Sequence, residues 1–501
     1  MARYVCAGMA VVLLIMPATV LADPPAQQPQ GEELAKLRLE VQALREELQE
    51  LQSTVTDLED SSRQQSPFAP DTLAAPPGTT SAKTPEQLEL ERKLAQELGL
   101  GSDQTPESTE APPPAPGPSK TVGGGSGRNF LNLSFDGLFC GGTSTTTDVS
   151  SIETGGHDPS QRGFTVQNAE MVLEGAVDPY FRAQGNLVFQ LDDDGATVSE
   201  LEEAYLVSSS LPRNLQLKAG TYFSEFGRLN SQHPHTWDFA DQPLVNGRFL
   251  GPDGLRGPGA RLSWLAPLGF YSEFFLSVQN GQGEIAQSFR NVPGETMFGR
   301  PIQERPIHDP GDLLYVPRCT ASLDLSDTQT LVLGVSAALG PNGTGPQART
   351  SMYGADLYWK WKSLNAQAGF PFLKLQLEAM KRSYEAASFS EDTDGDGAID
   401  VALPAETLED WGGYSQVLWG FRRGWMAGLR GDYLRGVDGA ASEDPMTTQR
   451  WRISPSLTWY PTEFSKFRLQ YNHDDLEDSR SEESIWMQFE FLIGTHGAHK
   501  F

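Results

Sequence analysis

The sequence predicts an all-β fold class: a transmembrane antiparallel β-barrel of about 16 strands, preceded by an N-terminal α-helical coiled coil and a Pro-rich linker. The clearest evidence is the run Phe181 to Leu191, in which odd positions are apolar or small and even positions are polar except Val188. Successive side chains of a strand point to opposite faces, so this run has one face suited to lipid or a core and one suited to water.

Sixteen such segments can be recognised after about residue 128, and an even count is expected of a bacterial single-chain barrel. Tight turns such as Asp178-Pro179 and Arg423-Gly424 alternate with long connections such as 281–312 and 385–410. This alternation predicts periplasmic turns at one end and external loops at the other. The segments lie near 129–139, 164–177, 180–191, 199–208, 215–223, 259–265, 270–280, 313–325, 329–339, 350–362, 371–384, 411–422, 425–434, 449–460, 465–474 and 484–494.

Residues 1–22 have the pattern of a secretory signal peptide. Arg3 supplies the positive charge, Ala10 to Met16 are apolar, and Val20-Leu21-Ala22 provides a cleavage site before Asp23. An uncleaved membrane anchor is the alternative, which the shortness of the apolar run disfavours. No later apolar run approaches the roughly 20 residues of a membrane helix. The pattern therefore predicts export into the cell envelope.

Residues 23–60 carry a heptad repeat that predicts a periplasmic coiled coil. Glu33 with Arg38, and Glu40 with Arg45, have the spacing of charges that pair between neighbouring helices. A partner helix is implied because an isolated helix of this length is marginal in water. The alternative is one amphipathic helix on another surface. The a positions are Leu34, Val41, Leu48 and Val55, and the d positions are Leu37, Leu44, Leu51 and Leu58.

Residues 61–127 read as a Pro/Gly/Ser-rich linker that is interrupted by one short helix at 85–98. Thr84 suits the N-cap, Pro85 the first helical position, and Gln87 completes a capping box. The linker is expected to hold the coiled coil away from a barrel that spans 128–501.

Composition excludes several classes of function. The net charge of −28 argues against nucleic-acid binding, which needs clustered Lys and Arg. Without Gly-x-Ser-x-Gly, His-Glu-x-x-His or a phosphate-binding Gly loop, the sequence predicts no enzyme. Only Cys140 and Cys319 remain after the signal peptide, and we expect two unpaired thiols, with a disulfide as the alternative.

Several runs in the barrel region resemble those of Gram-negative outer-membrane porins. The chain is similar to phosphate-selective-porin-like proteins and to uncharacterised barrels described as zinc-regulated outer-membrane receptors. The runs that carry the resemblance are Glu225-Phe226-Gly227-Arg228-Leu229-Asn230, His233-Pro234-His235, Pro243-Leu244-Val245, Arg248-Phe249-Leu250-Gly251 and His496-Gly497-Ala498-His499-Lys500-Phe501.

The resemblance implies a porin in the cell outer membrane that passes small hydrophilic solutes or ions by diffusion. It favours a homotrimer in contact with outer-membrane lipid, with the N-terminal segment in the periplasm and peptidoglycan as a further candidate partner. Two alternatives stay open: a structural tether between the outer membrane and the cell wall through the coiled coil, and an outer-membrane receptor for a metal or chelate.

The charged residues of the strands are predicted to line the lumen, because Arg or Lys facing the bilayer midplane would cost roughly 2–4 kcal/mol each. Rings of such charges set ion preference, although they could equally serve only to solvate and cross-link the lumen. The mixed signs argue against a purely phosphate-selecting ladder. The candidates are Arg182, Lys218, Arg261, Lys374, Arg430, Arg452, Arg468, Glu170, Glu202 and Glu273.

The stretch Ser224–Pro258 is a candidate constriction loop, because 35 residues with weak strand pattern must fold somewhere. A loop on the external rim, or a pair of poorly patterned strands, is the alternative. Its candidate contact residues are Arg228, His233, His235, Trp237, Arg248 and Arg256.

Metal sites are weaker predictions. Asp392, Asp394, Asp396 and Asp400 match positions 1, 3, 5 and 9 of a calcium loop with Gly397 at position 6, but Leu403 replaces the bidentate Glu at position 12. No cofactor is required, and calcium is expected at most as a weak ligand in an external loop. The pairs His233/His235 and His496/His499 could ligate a transition metal, but no third ligand is fixed by spacing, so ordinary polar histidines are preferred.

Overall fold

The computed structural model describes residues 131–191, 196–437, 448–477 and 480–494. The predicted signal peptide, coiled coil and linker, and the tail that contains His496, His499 and Phe501, lie outside the described residues and stay predictions.

Sixteen antiparallel strands form a closed barrel, which confirms the barrel part of the predicted fold class. Each strand pairs with the next one along the chain, and β1 pairs with β20 to close the barrel. The barrel strands are β1 Leu131–Ser144, β2 Gly163–Ala176, β3 Phe181–Leu191, β4 Thr197–Ser208, β5 Leu215–Phe223, β6 Arg256–Leu265, β7 Tyr271–Gln279, β10 Leu314–Ser326, β11 Gln329–Pro341, β12 Arg349–Gln367, β13 Phe370–Ala386, β16 Glu406–Arg422, β17 Trp425–Leu434, β18 Arg450–Thr462, β19 Ser465–Leu476 and β20 Ser481–Gly494.

The connections contain further short elements. Two hairpins are β8 Thr296–Met297 with β9 Arg300–Pro301, and β14 Phe389–Glu391 with β15 Val401–Leu403. The described α-helix is α1, Leu244–Leu250, and no helix in the described ranges is long and apolar enough to cross a membrane. The 3₁₀ turns are Val149–Ser151, Pro212–Asn214, Pro234–Thr236, Glu284–Ala286 and Pro310–Asp312.

All sixteen predicted strands are present, and the main differences are extensions at strand ends. The strand predicted at 411–422 begins at Glu406, where the ladder with β13 continues through the pair Ala386 and Glu406. Backbone pairing does not require apolar side chains once a strand leaves the hydrocarbon layer, so the polar residues 406–410 gave no strand signal.

Short and long connections alternate around the barrel. Residues 327–328, 368–369 and 423–424 make tight turns at what we call the short-turn end. The long connections, such as 224–255 and 280–313, leave the opposite long-loop end. Because each strand reverses direction relative to its neighbour, every second connection returns to the same end.

The polarity of the barrel wall is the reverse of that of a water-soluble protein. On β17, Leu429 is 54% exposed on the outside, whereas the next residue, Arg430, is 1% exposed on the inside. The same alternation continues on β18, where Trp459 is exposed on the outer face and Thr458 is buried on the inner one. An apolar exterior around a polar interior is the arrangement of a transmembrane barrel.

Residues 224–255, here called the inner segment, fold into the barrel interior. The segment turns in at Gly227, whose φ is +63° and where a Cβ would lie 2.4 Å from Oε2 of Glu378. Further along, α1 packs Leu244 and Phe249 against Phe289 of the connection 280–313 and Met380 of the wall. The inner segment therefore shares a packed apolar core with the connection 280–313 and the barrel wall.

Cys140 is buried, Cys319 is half-buried, and neither forms a disulfide, as expected from the sequence.

Candidate functional site

The inner segment passes between two groups of charged side chains on the barrel wall. Its His233 and His235 face carboxylates of β2 and β4, and its Asp241 faces guanidinium groups of β17 and β18. We call the first group the His–Glu cluster, which consists of His157, Glu170, Glu202, Glu203, His233 and His235. We call the second the Arg–Asp network, which consists of Glu153, Asp241, Arg430, Asp432, Arg450, Arg452 and Asp474.

A β-bulge creates the carboxylate side of the His–Glu cluster. On β3, Asn186 pairs with Glu203 and the next residue, Leu187, pairs with Leu201, so Glu202 is the extra residue on β4. In a regular strand Glu202 and Glu203 would point to opposite faces. The bulge turns both side chains inward, where both are buried and both contact His233.

The ring of His233 is surrounded by three carboxylates. Its Nδ1 lies 2.9 Å from Oε2 of Glu202 and 3.3 Å from Oε1 of Glu170. Its Nε2 lies 3.1 Å from Oε2 of Glu203. Burial alone would lower the pKa of His233, but the charges of Glu170 and Glu202 outweigh it and raise the pKa well above its usual value.

Two further histidines use the remaining oxygens of the same carboxylates. Nδ1 of His235 lies 3.3 Å from Oε2 of Glu170, and Nε2 of His157 lies 3.7 Å from Oε1 of Glu202. The rings of His233 and His235 stack with their centroids 5.9 Å apart. The cluster therefore joins two barrel strands, the inner segment and the connection 145–162.

The Arg–Asp network holds the other side of the inner segment by ion pairs between permanent charges. Asp241 is buried and lies 2.9 Å from Arg430 and 2.5 Å from Arg452. Arg452 also pairs with Asp474 at 2.9 Å and with Glu153 at 2.6 Å. Burial would raise the pKa of Asp241, but Arg430 and Arg452 hold it below its usual value.

Nearer the short-turn end, the wall binds the backbone of the same segment. Lys466 donates to the carbonyl of His235 at 2.9 Å, and Arg468 donates to the carbonyl of Trp237 at 2.8 Å. Lys374 forms an ion pair with Asp238 at 2.8 Å. Residues 233–241 are therefore tied to the wall on both sides, which fixes the depth of the inner segment in the lumen.

Other predicted residues lie apart from these two groups. Arg228 stacks over the ring of Tyr358 at 3.9 Å, and Arg248 of α1 donates to the carbonyls of Arg435 and Thr448. Arg256 is the first residue of β6, so it does not belong to the inner segment where the sequence placed it; the strand begins three residues before its predicted start. Its guanidinium pairs with Glu200.

The remaining predicted lumen residues lie on β3, β5, β6 and β7. Arg261 pairs with Glu225 of the inner segment, and Lys218 lies 4.0 Å from the ring centre of Tyr205. Glu273 is half-buried and accepts from the hydroxyl of Tyr271, whereas Arg182 is exposed at the short-turn end.

A cavity of about 1010 Å³ opens at the long-loop end above the inner segment. Its walls carry both signs of charge, including Arg248 and Arg450 on one side and Glu153 and Glu482 on the other. This mixture suits a hydrated entrance for small polar solutes.

The calcium-like loop lies between β14 and β15, away from the barrel interior. Asp392, Asp394 and Asp400 carry oxygens within 4.8 Å of one another, but Asp396 is not in that group. The backbone N–H groups of Gly397 and Gly395 donate to Asp392 and hold its pKa below the usual value. Occupation by calcium stays a prediction.

Glu203 and His157 were missed from the sequence. Glu203 was not named among the candidate lumen residues, yet two successive carboxylates within an amphipathic strand are themselves a signal, since one would otherwise face lipid at a cost. His157 gave no signal, because it comes from a connection whose path over the wall is set by tertiary contacts.

No family model matches the chain. An uncharacterized protein of Aquifex aeolicus (strain VF5) is 33% identical over 402 residues, which cover 74% of this chain and 79% of that protein. Among solved structures, the outer membrane channel DcaP of Acinetobacter baumannii is 13% identical, with a TM-score of 0.47, over 74% of this chain and 99% of that one. OmpT of Vibrio cholerae in its trimer form is 6% identical, with a TM-score of 0.43, over 73% and 100%.

Proposed function

This chain belongs to the family of the uncharacterized Aquifex aeolicus protein, and from the geometry of its barrel we propose that it is a porin of the Gram-negative outer membrane. The porin lets small hydrophilic solutes or ions diffuse through the barrel. The long-loop end faces the exterior and the short-turn end faces the periplasm.

The observation that carries the proposal is the reversed polarity of a closed barrel. Exposed apolar side chains on the outside match hydrocarbon, and the buried Arg, Lys and Glu residues lie on the inside, as shown by Leu429 and Arg430 on β17. Barrels of 16–18 strands are wide enough to enclose an aqueous channel. The cavity at the long-loop end provides the entrance to such a channel.

The inner segment supports the restriction of the channel to small solutes. It occupies the lumen and carries His233 and Asp241 to different parts of the wall, β2 and β4 for His233 and β17 and β18 for Asp241. Since carboxylates and guanidinium groups both line the lumen beside this segment, the charge preference is expected to be weak.

Planar-bilayer recordings of the purified protein test the proposal. We expect discrete conductance steps from the folded protein and none from the same sample after heat denaturation. Folded protein that inserts into the bilayer and gives no steps would refute the channel function.

The trimer, the periplasmic placement of residues 23–127, the contact with peptidoglycan and the tether alternative depend on residues outside the described ranges, and they stay predictions.

A further inference from the structure

We propose that the His–Glu cluster binds one divalent ion of the first transition row, with His233, Glu170 and Glu202 as its protein ligands. The sequence offered His233 and His235 without a third ligand. The fold supplies carboxylates from two strands that are far apart in sequence.

The distances between the donor atoms suit such an ion. His233, Glu170 and Glu202 each offer one ligand atom, and these three atoms all lie within 4.8 Å of one another. Bonds of about 2.0–2.1 Å in a tetrahedral site place neighbouring donor atoms about 3.3 Å apart. The two distances from Nδ1 of His233, 3.3 Å and 2.9 Å, are close to this value.

The surrounding side chains have the arrangement that usually supports metal ligands. A ligating histidine commonly donates its other ring N–H to a carboxylate, which orients the ring. Here Nε2 of His233 lies 3.1 Å from Oε2 of Glu203. The second oxygens of Glu170 and Glu202 lie next to His235 and His157, which can orient these two carboxylates.

Charge also favours a divalent cation. Glu170 and Glu202 are almost fully buried, and an imidazole ligand must be neutral to bind a metal, so these three ligands carry two negative charges that a divalent ion balances. Imidazole together with carboxylate suits Zn²⁺ and the neighbouring divalent ions. A cavity of about 20 Å³ lined by Glu202 and His157 has room for one water beside the cluster.

The site goes beyond the proposed channel, because binding can be measured without any transport. A bound ion would cross-link the inner segment to β2 and β4. It would also give the receptor alternative its first specific site.

Isothermal titration of the purified, metal-stripped protein with Zn²⁺ tests the inference. We expect one Zn²⁺ per chain in the wild type. His233→Gln and Glu170→Gln should each weaken binding by more than about 100-fold, and Glu203→Gln, which acts through the ring of His233, by about 10-fold.

Two controls separate this site from other histidines and carboxylates. His473→Gln makes the same change at a histidine that pairs with Glu483 at 2.7 Å outside the cluster, and Asp392→Asn alters the calcium-like loop. Both variants should bind Zn²⁺ as the wild type does. Retained strand content by circular dichroism shows that each variant is folded.

Three outcomes would overturn the site: no Zn²⁺ bound by folded wild type, unchanged binding in His233→Gln, or loss of all binding in Asp392→Asn. Each of these can occur whether or not the protein conducts ions, so a failed metal site and a failed channel remain distinguishable.

Discussion

The two walls of the lumen hold the same inner segment by different chemistry. In the Arg–Asp network, Asp241 lies between Arg430 and Arg452, and guanidinium groups keep their charge at any pH a cell experiences. In the His–Glu cluster, the carboxylates of Glu170, Glu202 and Glu203 surround His233, and the charge of an imidazole depends on protons or metal. One wall is therefore a permanent attachment, and the other responds to the cations around it.

This difference has a consequence for conduction. If the Arg–Asp network fixes the inner segment at all times, the channel stays narrowed on that side. The carboxylates of the His–Glu cluster can bind His233 and His235 more or less tightly without releasing the segment. The walls should then differ in their contribution to stability and in their dependence on ions.

The largest effect is expected from removing the charge of Asp241. Asp241→Asn leaves two buried guanidinium groups with one fewer counter-charge, and breaking a buried ion pair on one side costs about 3–5 kcal/mol. We expect that loss in the free energy of unfolding from urea titrations in detergent, together with larger conductance steps because the inner segment is less firmly attached.

Asp238→Asn is the matched control in the same segment. Asp238 pairs with Lys374 at the same kind of distance, but both side chains are about one-fifth exposed, so its loss should cost only about 1 kcal/mol. Equal losses of unfolding free energy in the two variants would show that the buried ion pairs of Asp241 contribute no more than a solvent-exposed ion pair.

A smaller effect on the free energy of unfolding is expected at the His–Glu cluster, and its size should depend on whether Zn²⁺ is bound. In EDTA, Glu170→Gln loses the pairing with His233 and His235 but also removes one of three neighbouring carboxylates. Because an imidazole, unlike a guanidinium group, can become neutral, this variant should destabilise the protein less than Asp241→Asn does. With Zn²⁺ at 100 times its dissociation constant, the wild type should gain about 2.7 kcal/mol and the variant almost none.

The control for this comparison is Asp241→Asn, which should gain as much from Zn²⁺ as the wild type, because its change lies on the other wall. If Zn²⁺ stabilises Glu170→Gln as much as the wild type, the ion binds elsewhere. The His–Glu cluster would then not be the metal-dependent attachment of the inner segment.

The barrel could be predicted from the sequence because its signal is local. Alternation along runs such as Phe181 to Leu191 reports directly which face meets lipid, and tight turns mark where strands end. The extended ends of β12 and β16 were missed, since residues such as Glu406 pair through the backbone where no lipid selects their side chains. The start of β6 at Arg256 was missed for a similar reason, because Gly and Pro hide the strand pattern there.

The site was only partly predictable, because its contacts connect residues far apart in the chain. Glu170 and Glu202 were predicted to line the lumen and His233 to belong to the constriction loop, but nothing in the sequence indicated that they would meet. Their meeting depends on the closure of β1 on β20, on the inward path of the inner segment, and on a bulge that adds Glu203. The partner of Asp241 across the lumen, Arg452, is more than 200 residues away.

The smallest effect is expected at the calcium-like loop, which tests whether burial and histidine distinguish the lumen cluster from any group of carboxylates. Asp392 and Asp400 are fully exposed and satisfied by Thr393 and nearby backbone N–H groups. Asp392→Asn should leave the urea midpoint unchanged, while weak Ca²⁺ binding by titration calorimetry should disappear. Since oxygen ligands prefer Ca²⁺ and the imidazole of His233 prefers Zn²⁺, the two ions should respond to different variants. Loss of Ca²⁺ binding in His233→Gln, or of Zn²⁺ binding in Asp392→Asn, would show that the acidic groups attract cations only through their combined negative charge. The difference between the His–Glu cluster and the Arg–Asp network would then not depend on a bound metal.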